Sequence, residues 1–340
     1  MLRRTFFALT FLAGTVMSLQ AQTYKVTGQI PIAGAGGWDY AFVDPANHRL
    51  YVTHSTQVEV IDLASEKPVA TITGFQRLHG VATADEFNRG FISDGGANEV
   101  AVFDLKSNTV LQKVKAGTNP DGILYDPATK RVFAFNGRSG DVTAINAKDS
   151  SVAGSIALGG KPEFPVSDGK GSVFANIEDK SEIVKIDPQS LKVLEHWPLQ
   201  GCEEPSGLAI DNDAHRLFSV CDNQKMAVVN YDNGKVVTTV PIGDGPDAAG
   251  YDADKKLAFS SNGQSGTLTV VKQESADKYS VVSTVTTEKS ARTMAIDPST
   301  HKIYLPAAKF GPPPAATKDN PKPRPTVLPD SFHLIVVSPS

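Results

Sequence analysis

Cysteine is scarce. The 340 residues contain two, Cys202 and Cys221, with no C-x-x-C spacing. A thioredoxin-like redox motif and a c-type haem attachment are therefore unsupported. An excess of positive charge is also missing, since 33 Lys and Arg face 37 Asp and Glu. No basic stripe is present to track a phosphate backbone, so nucleic acid is not an expected partner. After residue 21, no apolar run approaches the roughly 20 residues that a helical membrane span needs. There is no G-x-S-x-G elbow, no H-E-x-x-H and no G-x-x-x-x-G-K-[ST]. Serine-hydrolase, zinc-protease and P-loop chemistry of those types have no support. The composition, 40% hydrophobic and 21% charged, is that of a globular protein and not of a disordered one.

The first 21 residues read as a signal peptide. Arg3 and Arg4 form a basic start, Thr5 to Leu19 is apolar, and Ala21 is a suitable last residue before cleavage. An apolar stretch this short is poorly suited to spanning a bilayer. Arg3 and Arg4 are the only charges in the segment, so its removal takes the formal net charge from −4 to −6. The expectation is a periplasmic or secreted protein. Export would place Cys202 and Cys221 in oxidising surroundings, where a disulfide and two unpaired thiols are both admissible.

What the sequence has in abundance is repetition. Pro120-Asp121-Gly122, Pro205-Ser206-Gly207 and Pro246-Asp247-Ala248 each open a short apolar run that ends in Asp. Each is followed by a turn and an aromatic or β-branched run. One column of equivalent positions holds Asp39, His79, Asp121, Glu163, Ser206, Asp247 and Arg292, spaced 40, 42, 42, 43, 41 and 45 residues apart. A period just above 40, with four short strands per unit, is the pattern of a β-propeller blade. Seven units over residues 22–340 predict a single all-β, seven-bladed ring. The fourth unit is one residue short around Asp168–Ser172.

The chain ends predict how the ring closes. Tyr24 to Ile32 resembles a fourth strand with no first three, and Phe332 to Val337 resembles a third strand with no fourth. Pairing the two would complete the seventh blade and leave no open edge. Within that blade, residues 306–330 contain eight prolines (306, 312, 313, 314, 321, 323, 325 and 329). This insertion is expected to be extended or mobile and unpaired, on the face where the first strands begin.

Leu50-Tyr51-Val52-Thr53-His54 nearly matches the Tyr-Val-Thr-Asn repeat of bacterial YVTN propellers, and Asn136 and Asn262 stand at the expected Asn. Val58–Asp62 and Val100–Leu105 also look like that family's third strand. The chain resembles the YncE-like group of exported seven-bladed propellers over essentially its whole mature length. The resemblance implies a binding or surface protein. Single-stranded DNA binding is attributed to one member, and related propellers include lactonases and quinoprotein subunits. His54, Asp94, Cys221 and Ala307 depart from the Asn, so no uniform sevenfold site carries over.

The seven-membered column should ring the mouth of the central channel, with Glu203 and Glu204 nearby. His54, Asp94, Asn136 and Asn262 are expected to form a second ring on the same face. Clustered carboxylates repel unless they bind a cation, share protons or meet a partner such as Arg292. Glu204, Asp247, Asn262 and Asp121 offer oxygen donors suited to Ca²⁺ or Mg²⁺. The leading expectation is a monomeric binding or interaction module without catalysis, taking a protein or small-molecule ligand at the acidic mouth. A metal-dependent lactonase is the alternative. A quinoprotein-like or electron-transfer subunit comes third. His48, His215 and His301 recur in equivalent turns on the other face and read as structural. Trp38 and Tyr40 flank Asp39, where they would stack on a ligand or pack against the next blade.

Overall fold

A computed structural model describes residues 23–34, 36–318, 321, 323 and 325–340. The leader and its cleavage point lie outside these residues. Among the described residues, no helix is long and apolar enough to cross a membrane.

The β-branched and aromatic runs form strands, and Asp-, Asn- and Gly-containing turns fold them into hairpins. Seven four-stranded antiparallel sheets result. Blade five shows the pattern: Pro205–Asp211, Arg216–Cys221, Lys225–Asn230 and Lys235–Pro241 pair in sequence order. The two middle strands are almost wholly buried, whereas the outer strand exposes its polar side. Apolar packing follows the same logic. The seven hydrophobic clusters each join two consecutive blades, as where Phe133 and Phe135 meet Val173, Ala175 and Ile177. The core is thus a ring of seven interfaces, each of which needs a neighbour on both sides.

The seventh blade is assembled from both chain ends. Tyr24–Pro31 pairs antiparallel with His333–Pro339, from Tyr24 opposite Pro339 to Pro31 opposite His333. The other two strands are Lys302–Ala307 and the short Ala295–Asp297. The structure corrects the expectation for the insertion in two ways. Pro306 and Ala307 belong to a strand, opposite Leu334 and His333. The insertion also pairs with itself at its base, where Phe310 bridges Val327. The Gly311 N–H donates to Thr326 O at 2.9 Å and the Leu328 N–H to Lys309 O at 2.8 Å. Prolines cannot donate, but these positions between them can.

The turn histidines are structural. His48, His215 and His301 all adopt positive φ, between 52° and 60°. His215 Nδ1 lies 2.9 Å from Asp232, and His301 Nδ1 lies 2.8 Å from Asp252. Cys202 and Cys221 are joined as a disulfide, with Cα atoms 5.5 Å apart and 19 residues of separation. A loop of that size stabilises by about 3 kcal/mol in the chain-entropy model. At an unfolding entropy of ~2.1 cal/mol/K per residue, replacing both cysteines by alanine lowers the melting midpoint by about 4–5 °C. Calorimetry of the double variant checks this, and an unchanged midpoint would show the crosslink to be energetically idle.

Candidate functional site

A backbone irregularity explains why one column of residues reaches the channel. In blades one to six, the pairing of the first strand with the second slips just after its first residue. In blade three, Pro120 pairs with Asn136, but the next partners are Ile123 and Ala134. Asp121 is left in a bulge, free of the ladder and turned inward. The same slip frees Asp39, His79, Glu163, Ser206 and Asp247. In blade seven the strand begins only at Ala295, so Arg292 approaches from a loop. Gly263 makes room for it, since a Cβ there would fall 2.6 Å from Arg292 Cβ.

Hydroxyl and amide groups latch these bulges from blade to blade. Thr53 Oγ1 donates to His79 O and Ser93 Oγ donates to Asp121 O, at 3.0 and 2.7 Å. Asn176 Nδ2 donates to Ser206 O at 2.9 Å. Thr293 Oγ1 donates to Asp39 O at 2.6 Å, and Ser261 Oγ donates to Arg292 O. Each bond fixes the carbonyl beside a mouth side chain, so the mouth is held by its neighbours.

The side chains form two charge-sharing groups. Arg292 serves two acids: Nη1 binds Asp247, and Nη2 lies 3.2 Å from Asp39 Oδ1. Lys161 likewise serves Glu163, at 2.8 Å, and Glu178. His79 Nδ1 stands 2.5 Å from Asp39 Oδ2 and 3.4 Å from Asp121 Oδ1. The Arg77 Nε–H donates to His79 Nε2 at 3.3 Å. That leaves the Nδ1 proton facing the two carboxylates. One ligand atom from each of Asp39, His79 and Asp121 lies within 4.8 Å of the others, a spacing that could hold a metal ion. Burial, and then the charge of Asp39, push the Asp121 carboxyl up to about 6. Burial, and then the charge of Asp121, push Glu163 up to about 8. Burial also raises Asp247, although Arg292 opposes it.

Tyr40 and Trp38 take different parts. Tyr40 is buried and meets Phe164 of blade four edge-on at 5.2 Å, so rings of blades one and four touch. Trp38 stacks on Phe332 at 5.3 Å and leans toward Phe310 at 6.0 Å. Beside it lies a cavity of about 740 Å³. Trp38, Phe310, Pro325 and Val327 line it with apolar groups, while Glu204, Asp222 and Asp247 contribute carboxylates. The Pro-rich insertion is therefore a wall of the cavity.

The structure does not bring every expected site residue to this mouth. His54, Asp94, Asn136 and Asn262 are at most 2% exposed. Each ends a second strand, opposite the first residue of its blade's first strand. Asp94 accepts the Gln76 and Arg77 N–H groups, both at 3.1 Å. Asn136 donates to Asp141 and Thr143, both at 3.1 Å, and Asn262 donates to Thr267 and Thr269 at 3.1 and 3.0 Å. His54 lies tilted against Phe332 at 4.5 Å, and its Nδ1 stands 3.5 Å from Glu59 Oε1. The Asn262 amide is thus taken up within its own hairpin, and the metal-capable trio shares only Asp121 with the set expected from sequence. Lys161, Arg77 and Glu178 were missed. Their signal was faint, because none occupies the repeated column.

No protein-family model matches the chain. The fold defines the class: a seven-bladed β-propeller whose first strands are bulged in blades one to six. The chain is 29% identical over 150 residues to the uncharacterized protein YncE of Salmonella typhi. That match spans 41% of the length of each protein. The match and the seven-bladed ring together support a YncE-like propeller family. The chain is also similar to a chain of Kuenenia stuttgartiensis hydrazine synthase, with a TM-score of 0.68 and 15% identity. The likeness covers 86% of this chain and 96% of that one, and it concerns the fold alone.

The raised carboxyls have a measurable consequence. Folded Glu163 keeps its proton up to about pH 8, whereas an unfolded glutamate loses it near 4.5. Its contribution to stability is therefore greatest at low pH and declines as pH rises through that window. Glu163→Gln should melt at a midpoint that rises relative to the wild type between about pH 5 and pH 8. A midpoint difference that stays constant with pH would show that Glu163 has an ordinary carboxyl.

Proposed function

We propose that the protein is an exported binding module that takes a small ligand between the channel mouth and the Pro-rich insertion. The carrying observation is the cavity of about 740 Å³, which joins an apolar wall to acidic side chains from neighbouring blades. Its size falls in the usual range for small-molecule sites, and its few convergent polar groups suit orientation of a ligand. Export rests on the basic and apolar leader read from the sequence. Similarity to YncE is compatible with this reading but names no ligand.

One observation favours a second reading, metal-assisted hydrolysis of a lactone. Asp39, His79 and Asp121 could hold a divalent ion, which would polarise a carbonyl or activate water. A histidine in the set suits a transition metal better than Ca²⁺ or Mg²⁺. Against it, the Arg77 guanidinium already donates to the far nitrogen of His79. A metal-bound neutral imidazole needs an acceptor there.

One experiment separates the readings. Residues 22–340 are screened against a fragment library by thermal shift, beside a variant with residues 310–327 replaced by a short Gly-Ser linker. Stabilising fragments should lose their effect in the variant, whose own midpoint stays close to the wild type. Fragments that stabilise both proteins equally would contradict the mouth site. Turnover of a lactone panel on adding Mn²⁺ or Zn²⁺, lost in His79→Gln, would establish the second reading instead.

A further inference from the structure

We infer that the cavity selects an organic cation carrying an apolar or aromatic body. This rests on the preceding reading and names the chemical class of its ligand.

The charge balance around the cavity is the first reason. Glu178 and Asp247 already have partners, but each shares its partner with a second acid. Lys161 also serves Glu163, and Arg292 also serves Asp39. Glu204 and Asp222 are exposed at the cavity, and neither carboxylate makes a hydrogen bond or ion pair among the described residues. Among the described lining residues the remaining charge is Lys289, which is exposed and has no ion pair among them. Among the described residues, four acids (Glu178, Glu204, Asp222 and Asp247) and two cations (Lys289 and Arg292) line the cavity. Among the described lining residues, an anionic ligand would have to displace an acid from Arg292 or depend on Lys289. A cation meets two carboxylates, Glu204 and Asp222, that no described residue neutralises.

The second reason is the opposite wall. The Trp38 and Phe310 rings, with Val327 and Pro325, present apolar surface where an isolated hydrated metal ion would find no donor. Phe310 is 45% exposed although it stands beside an indole, so its ring can be covered further. Aromatic faces attract organic cations and bury hydrocarbon bodies, and they do nothing for anions. An ammonium directed at Glu204 and Asp222, with its carbon body against Trp38 and Phe310, satisfies both walls at once. A polyamine would satisfy only the acids, and a neutral ring only the aromatics.

Calorimetric titration of residues 22–340 tests this with four probes: phenethylamine, N-acetylphenethylamine, phenylacetate and spermidine. Phenethylamine should bind about tenfold or more tightly than the acetylated and anionic analogues, a difference of about 1.4 kcal/mol. Glu204→Gln combined with Asp222→Asn should remove most of that preference. Both positions are exposed, so the fold is spared. Phe310→Ser should weaken phenethylamine severalfold and leave spermidine unchanged. Tighter binding of phenylacetate or the acetylated amine, still weakened by Phe310→Ser, would overturn the cation class and keep the cavity as a ligand site. Spermidine binding best, indifferent to Phe310→Ser, would overturn the aromatic half and with it the proposal. Silence from all four probes would overturn the class and count against the binding reading as well.

Discussion

One antiparallel pairing holds the ring shut. Tyr24–Pro31 must find His333–Pro339 across nearly the whole chain before the last blade exists. The cost in chain entropy is modest, because closure entropy grows only with the logarithm of loop length. The gain is large in kind. Each apolar cluster lies between two consecutive blades, so an open ring would expose one interface entirely. The pairing also sets the floor of the site. Trp38 and Phe332 stack where the first blade meets the closing blade. The insertion leaves from that same blade.

Given a closed ring, the mouth follows from geometry. First strands converge, and in blades one to six a bulge frees one side chain of the mouth column, while Arg292 comes from the loop before the seventh. The sequence fills those positions with acids more often than with bases. Burial then makes ionisation unfavourable, and Arg292 and Lys161 are each divided between two carboxylates. Such a site holds its excess negative charge partly by retaining protons, at Asp121 and Glu163 above all. A bound cation would perform the same task. The insertion adds what convergence alone does not supply, an apolar wall next to the acids.

Much of the fold was legible from the chain. The period just above 40 and the split last blade stand in the structure at the positions read from sequence. The Asn column was harder to interpret. His54, Asp94, Asn136 and Asn262 carry polar groups that resemble ligand donors, yet three of the four satisfy backbone and side-chain partners inside the fold. Spacing alone cannot tell a donor that faces solvent from one that faces a hairpin. The Thr of the Tyr-Val-Thr-His run shows the converse. Thr53 looks like a β-propensity choice, but its hydroxyl bonds the carbonyl of His79 in the next blade. Such latches join positions 26 or more residues apart, and no local pattern announces them. Prolines misled as well, because Pro306 sits at a ladder position that needs no donor.

The central claim is that the acidic mouth and the insertion together form one ligand site selective for organic cations. The most direct measurement is a crystal structure of residues 22–340 grown with phenethylamine above pH 8, where Asp121 and Glu163 are both ionised or nearly so. The account predicts the amine near Glu204 and Asp222 and the ring against Trp38 and Phe310. A ligand lodged on the opposite face, beside His215 and His301, would contradict it, as would a mouth holding only water with the insertion folded away.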